Sequence, residues 1–172
     1  NDRSPLSDSQ LKAMACSSAV SLRGLGLEVV PSLFVGDGGA LGAGVQKEVA
    51  TSAQGSDPNV VSHLWLDNNN FGTNSQSLLS LHHLLLRIAP SVVELSVCGN
   101  ALEDLSSFDA VPTFARLAVL RLRKNKIKTW FAVDRSALIT LTDLDLSDNK
   151  LTDIPENVLR GSPNLKFLNL AR

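Results

Sequence analysis

The 172-residue chain is 44% hydrophobic and 19% charged, which excludes a chain that stays disordered for lack of apolar side chains. Its formal net charge of −1 provides no general attraction to nucleic acid or to anionic lipid. Because no uninterrupted apolar run approaches the ~18 residues that a membrane-spanning helix needs, the sequence predicts no such helix.

The first 29 residues predict a helical cap. Ser7 or Ser9 can cap the start of a helix, and Gly24 and Gly26 can end it. The apolar side chains of this helix would be Leu11, Met14, Ala15 and Val20. Since the end of a sheet exposes apolar surface and an unpaired strand edge, we expect residues 1–29 to cover the first strand.

An eleven-residue pattern recurs along the rest of the chain. Places one, four, six and eleven are apolar and place nine is Asn, most clearly from Leu141 to Leu151. Six units start at Val30, Val61, Val92, Leu117, Leu141 and Leu165, in steps of 31, 31, 25, 24 and 24 residues. The first and last units are partial, and because the chain stops inside the last one we expect it to continue or to dock there.

The segments that join the units change along the chain. Ser75 to Ile88 has apolar residues at helical spacing and stops before Pro90, which predicts a helix. Residues 41–50 predict a weaker helix of the same kind. After about residue 100 the joining segments are shorter, and these favour turns over helices.

The repeated pattern resembles the leucine-rich repeat family. The longer early units resemble its ribonuclease-inhibitor-like class, and the later units resemble the shorter class common in receptors and adhesion proteins. The resemblance implies an α/β solenoid of about six repeats over residues 30–172. Its curved parallel sheet would form the concave side, and its helices and turns would form the convex side. The resemblance also implies that the chain binds other proteins.

Asparagine at place nine predicts a ladder of side chains. An Asn there turns the chain off the strand, and its amide can satisfy backbone groups that would otherwise be buried and unpaired. The ladder would consist of Asn69, Asn100, Asn125 and Asn149.

The side chains at places three, five and seven should point onto the concave face, because strand residues alternate between the two faces of a sheet. We expect Arg121 to face Asp145 across neighbouring strands, and Lys124 to reach Asp148. Such pairs favour local charge neutralisation over a nucleic-acid site, since the basic run lacks interleaved aromatic residues. The predicted protein-binding residues are Phe34, His63, Trp65, Asp67, Glu94, Arg121, Arg123, Asp143 and Asp145.

Trp65 is the strongest single candidate for partner binding, because Trp and Arg are enriched among binding hot spots. The sequence leaves an alternative open. Phe34, His63 and Trp65 could simply cover one another across neighbouring strands.

The sequence predicts neither catalysis, nor a metal site, nor a cofactor. His82 and His83 point to different sides of their helix and have no third ligand nearby. The glycines of residues 36–44 lack the Gly-Lys-Ser/Thr ending of a phosphate loop. Cys98 has no evident base or cation beside it, which favours an inert thiol. Ser, His and Asp residues occur at no spacing that assembles a triad.

The favoured hypothesis is a non-catalytic protein-binding scaffold, a subunit or fragment of a larger intracellular assembly, which binds its partner through the concave face. The sequence has no Asn-x-Ser/Thr sequon and no cysteine-rich cap, and both absences favour a reducing compartment. Two alternatives stay open. One is an extracellular receptor or adhesion ectodomain that recognises a protein ligand, and the other is a regulator or inhibitor of a partner enzyme.

Overall fold

The computed structural model describes residues 19–28, 61–105, 108, 114–129, 138–152 and 161–171. These residues form the helix α1 (Ser75–Ile88) and a sheet of short strands. The strands are β1 (Ala19–Ser21), β2 (His63–Trp65), β3 (Glu94–Ser96), β4 (Val119–Arg121), β5 (Asp143–Asp145) and β6 (Phe167–Asn169).

The sheet is parallel, and its strands follow one another in chain order from β1 to β6. Its register aligns the place-four residue of every unit: Val20, Leu64, Leu95, Leu120, Leu144 and Leu168. The predicted solenoid of parallel rungs is thus confirmed. The sheet is open rather than closed into a barrel.

The core lies behind the sheet, on the side where places four and six point. Leu64, Leu95 and Leu120 at place four are at most 1% exposed. At place six, Leu66, Val97 and Leu122 are 0% exposed. Each such side chain stabilises the fold by roughly 1.5–3 kcal/mol relative to exposure. The last rung is covered less well, since Leu165, Leu168 and Leu170 are only partly buried.

The strand beside β2 differs from the one that we predicted. We expected the unit at Val30 to occupy this place and Val20 to lie in a helix, but Val20 is the central residue of β1 and pairs with Leu64. The step from residue 20 to residue 64 is 44 residues, not 31. Leu22 and Leu27 fit places six and eleven, but the pattern was missed because Leu25 stands where Asn is expected.

Several predictions fall on residues that are not described. They are the remainder of the cap in residues 1–18, the unit at Val30 with Phe34, and the weaker helix over residues 41–50. These stay predictions.

At place eight the chain turns away from β1, β2, β3, β4 and β5 with a left-handed backbone. Gly24, Asn68, Gly99, Lys124 and Asp148 have φ values of 64°, 56°, 63°, 55° and 54°. Glycine adopts this conformation at no steric cost, and Asn and Asp tolerate it. Lys124 is the exception, because its long side chain, unlike that of Asn or Asp, does not offset the strain of this conformation by bonding to the local backbone.

The asparagines at place nine stack along the array as a ladder. Each Nδ2 donates to the place-six carbonyls of its own and the preceding unit at 2.7–3.2 Å. Each Oδ1 accepts the place-eleven N–H of the preceding unit at 3.0–3.2 Å. The ladder therefore satisfies backbone groups that the turns leave without partners.

Helix α1 has the predicted bounds. Asn74 caps it by accepting from the Ser77 N–H, while the Ser77 side chain accepts from the Asn74 N–H, so both form a capping box. Its inner face packs Leu81, Leu84 and Leu85 into the core. In the described part of the chain, no helix has both the length and the apolar character that crossing a bilayer requires.

Candidate functional site

The concave face carries three rows of side chains. Row three holds Ala19, His63, Glu94, Val119, Asp143 and Phe167. Row five holds Ser21, Trp65, Ser96, Arg121, Asp145 and Asn169. Row seven lies just beyond the strands and holds Arg23, Asp67, Cys98, Arg123, Ser147 and Ala171. The structure thus gathers the described candidate residues on one surface, with β1 supplying Ala19, Ser21 and Arg23 in place of the unit predicted at Val30.

Trp65, the last residue of β2, is half-buried. The Arg23 guanidinium carbon lies 5.2 Å from the centroid of its ring, within cation–π range. The His63 ring is tilted by 36° to it, with centroids 6.1 Å apart. The indole N–H donates to Glu94 Oε1 at 2.9 Å. Trp65 is therefore held by a cation, a second ring and a carboxylate.

The Glu94 carboxylate links three neighbouring strands. Its Oε1 accepts from Trp65 on β2 and from the Arg121 guanidinium on β4. Burial acts to raise the pKa of Glu94, but the hydrogen bonds from Trp65 and Arg121 and the charge of Arg121 outweigh it, so the pKa lies below its ordinary value. The expected pairing of Arg121 with Asp145 needs correction: the two are register neighbours, but the guanidinium binds Glu94.

Asp67 is a second node of the concave face and is only 8% exposed. Its Oδ2 lies 2.6 Å from Arg23 Nε, and its Oδ1 accepts from Ser96 Oγ at 2.5 Å and from the Cys98 N–H at 2.9 Å. Arg23 was not among the predicted binding residues. The signal was present, because Val20 and Leu22 at places four and six put Arg23 at place seven.

The charges of the later units are locally paired, although not all as predicted. Asp148 accepts from Arg123 Nε at 2.9 Å, and this is the role that we had assigned to Lys124. Lys128 Nζ lies 2.8 Å from Glu103 Oε2 on the preceding unit. Since these pairs are exposed, they contribute little to stability but reduce the positive charge of this surface.

Asp143 and Asp145 lie half-buried on β5. In row three, Asp143 lies between Val119 and Phe167. In row five, Asp145 lies between Arg121 and Asn169. Asp143 accepts from Thr142 Oγ1 at 2.6 Å. Asp145 accepts from the Ser147 N–H at 3.0 Å and from its Oγ at 2.6 Å. An open groove of about 290 Å³ runs over these strands, and Phe167 is 67% exposed at its edge.

Cys98, His63, His82 and His83 carry the thiol and imidazole groups of the described residues. Burial raises the pKa of the Cys98 thiol, which disfavours the nucleophilic thiolate. His82 and His83 lie on the convex side, with ring centroids 5.9 Å apart. Among the residues that the structure describes, no group of three or more His, Cys, Asp or Glu side chains could hold a metal ion.

A parallel sheet built from an eleven-residue repeat, with an Asn ladder at its turns, defines a repeat solenoid. The leucine rich repeat family matches residues 115–172, which include β4, β5 and β6. Residues 115–172 thus form a leucine-rich repeat segment, and the parallel sheet of the described residues fits the same family. No curated protein matches the chain. Domains of this family are in general protein-binding scaffolds and are typically non-catalytic.

Proposed function

We propose that the chain is a non-catalytic scaffold of a larger intracellular assembly, and that it binds a protein partner through its concave face at Trp65. The family supports protein binding in general. The observation that carries the finer proposal is the arrangement of Trp65, whose half-buried ring contacts Arg23 and His63 on the concave face.

This arrangement suits a binding hot spot because it fixes the aromatic ring before a partner arrives. The hydrogen bond to Glu94 and the contact with Arg23 restrict the rotamers of Trp65, so that binding loses less side-chain entropy. Trp and Arg are the residues most enriched among hot spots, and Arg23 and Arg121 both contact this network.

The intracellular part of the proposal is supported by the sequence and by one cysteine. The chain contains no Asn-x-Ser/Thr sequon. Cys98 is a free thiol, half-buried among Ser96 and Asp67. A free thiol that is partly accessible persists more readily in a reducing compartment.

The test is affinity capture with the parent chain and with Trp65→Ala, followed by a dissociation constant for the captured protein after purification. We expect Trp65→Ala to weaken binding by at least ~2 kcal/mol, because the ring would contribute a hot-spot contact. Trp65→Phe keeps a ring but removes the N–H to Glu94, so it separates ring contact from hydrogen bonding.

The matched control is Leu79→Ala, since Leu79 is 51% exposed on α1, on the other side of the solenoid. It should leave the affinity unchanged, and circular dichroism should show that all three variants fold. Equal loss in both alanine variants, or loss in Leu79→Ala alone, would place the partner on the convex side. A captured enzyme whose rate changes on binding would favour a regulator over a scaffold.

A further inference from the structure

The last three strands present a small grid of side chains on the concave face. Row three reads Val119, Asp143 and Phe167, and row five reads Arg121, Asp145 and Asn169. Neighbouring parallel strands lie ~4.8 Å apart, and alternate residues of one strand share a face. The two carboxylates thus occupy the central column of the open groove.

These two carboxylates differ from the other acidic groups of the concave side. Asp67 is paired with Arg23, Glu94 with Arg121, and Asp148 with Arg123. Within the described ranges, neither Asp143 nor Asp145 has a cationic nitrogen within 4.0 Å. Their partners in the structure are the neutral donors of Thr142 and Ser147.

The cation nearest in register does not neutralise them. Arg121 is the register neighbour of Asp145, but its guanidinium is turned towards Glu94 on the opposite side. Glu94 also accepts from Trp65, so its oxygen offers a fixed and partly buried acceptor that retains Arg121. Arg121 thus lines the groove as well, but its ion pair is with Glu94 and not with either aspartate.

An apolar wall accompanies the two aspartates. Phe167 is the neighbour of Asp143 on β6 and is 67% exposed, the largest exposure among the large apolar side chains of the described residues. Val119, half-buried, flanks Asp143 on the other side. An aromatic ring beside two carboxylates matches a side chain with an aliphatic stem and a cationic end.

We propose that the Asp143–Asp145 groove binds an arginine or lysine side chain of the protein partner. The stem would lie against Phe167 and Val119, and the cationic end would bind the two carboxylates. The groove volume of about 290 Å³ is at the lower limit of small-molecule pockets, roughly 300 Å³, so it suits one long side chain better than a larger ligand. This inference rests on the proposed protein-binding function and specifies the chemistry of the partner.

The test is an NMR titration of the ¹⁵N-labelled chain with N-acetyl-arginine amide. The amides of Asp143, Asp145 and Phe167 should shift together, whereas the neutral N-acetyl-norleucine amide and the anionic N-acetyl-glutamate amide should shift them little. In the double variant Asp143→Asn and Asp145→Asn the affinity should fall at least about fivefold, since two charge pairs are lost. Phe167→Ala, at an exposed position, provides a second variant with little effect on the fold.

The control variant is Glu103→Gln, which removes a carboxylate that is already paired with Lys128 and lies outside the groove. It should leave the affinity for the arginine probe unchanged. Equal binding of the norleucine probe, an unaltered affinity in the double variant, or displacement of the arginine probe by Ca²⁺ would overturn the proposal.

The two proposals fail in different ways. If Trp65→Ala loses partner capture and the chain does not respond to the arginine probe, the proposal that the groove binds a basic side chain is rejected. The proposal that the concave face binds a protein is then retained. A groove that binds the arginine probe while Trp65→Ala captures its partner normally would support the groove and reject Trp65 as the hot spot.

Discussion

Trp65 donates its indole N–H to Glu94 Oε1 at 2.9 Å, and Arg121 binds the same oxygen from the next strand. The two donors flank Ser96, which lies between them in row five and is only 1% exposed. Because Ser96 is short, the longer side chains on either side can lean towards Glu94. One carboxylate thereby connects β2, β3 and β4 on the concave face.

The first prediction concerns the pH dependence of stability. The folded-state pKa of Glu94 is lowered, so its contribution is fully present above the unfolded value near 4.5 and is lost as pH falls through the lower folded value. Glu94→Gln should therefore destabilise the chain at neutral pH by on the order of 1 kcal/mol. Urea unfolding at a series of pH values should show parent and variant converging in acid.

Glu103→Gln is the control for this prediction. Its ion pair with Lys128 is fully exposed to solvent, so the substitution should change the free energy of unfolding less than Glu94→Gln does at neutral pH. A difference between parent and Glu94→Gln that stayed constant across the acid range would contradict the role of the charge.

The second prediction concerns Gly72, which has a φ of 92° and lies against the backbone of the next unit. A Cβ there would lie 2.7 Å from the carbonyl carbon of Ala101 and 2.8 Å from the Leu102 nitrogen. Gly72→Ala should cost several kcal/mol, roughly 2–4, because backbone strain and overpacking combine. The free energy of unfolding in urea measures this.

Gly26→Ala separates the effect of backbone strain from that of overpacking. Gly26 has a φ of 68°, but a Cβ there would meet nothing within 4 Å. Gly26→Ala should therefore cost only the conformational part, about 1 kcal/mol. Equal losses in Gly26→Ala and Gly72→Ala would mean that the contact with Ala101 does not limit the packing of the units.

The third prediction concerns the asparagine ladder. Asn125 is 6% exposed and bonds to Val97 O and Leu122 O at 2.9 Å and to the Leu102 N–H at 3.2 Å. Asn125→Ala leaves the buried Leu102 N–H without its acceptor and removes one of the two amide donors from each carbonyl, since Asn100 still donates to Val97 O and Asn149 to Leu122 O. The substitution should therefore destabilise by about 1–3 kcal/mol. Asn70 provides the control, because it is also an asparagine but is exposed and donates to Gly26 O at 3.2 Å. Asn70→Ala should therefore shift the melting temperature far less.

The repeating part of the fold could be predicted from the sequence because each rung depends on residues a few positions apart. Leu64 and Leu66, or Leu144 and Leu146, determine which way their strand faces without information from elsewhere. The first rung was not predicted, because its own sequence lacks the asparagine of the pattern. Its place nine is Leu25, and the backbone groups near it are satisfied from another unit, by Asn69 Oδ1.

Side-chain partners on the concave face were harder to predict than their positions. Row membership follows from alternation, but the choice of Arg121 between Asp145 and Glu94 depends on side-chain length and on the small Ser96 beside it. In the same way, Asp148 is reached by Arg123 and not by Lys124, because the left-handed backbone at Lys124 turns the chain there.

The last prediction uses this backbone. Lys124 has a φ of 55°, whereas the equivalent residues Asn68 and Asp148, with φ of 56° and 54°, are types that tolerate the left-handed region. Lys124→Asn should therefore stabilise the chain, by a few tenths to about 1 kcal/mol, measured by thermal and urea unfolding. Lys126→Asn removes a charge at an exposed position two residues later without a positive φ, and it should have no stabilising effect. If both variants gained equally, the gain would come from lower positive charge beside Arg123 and Lys128, and not from release of strain in the turn.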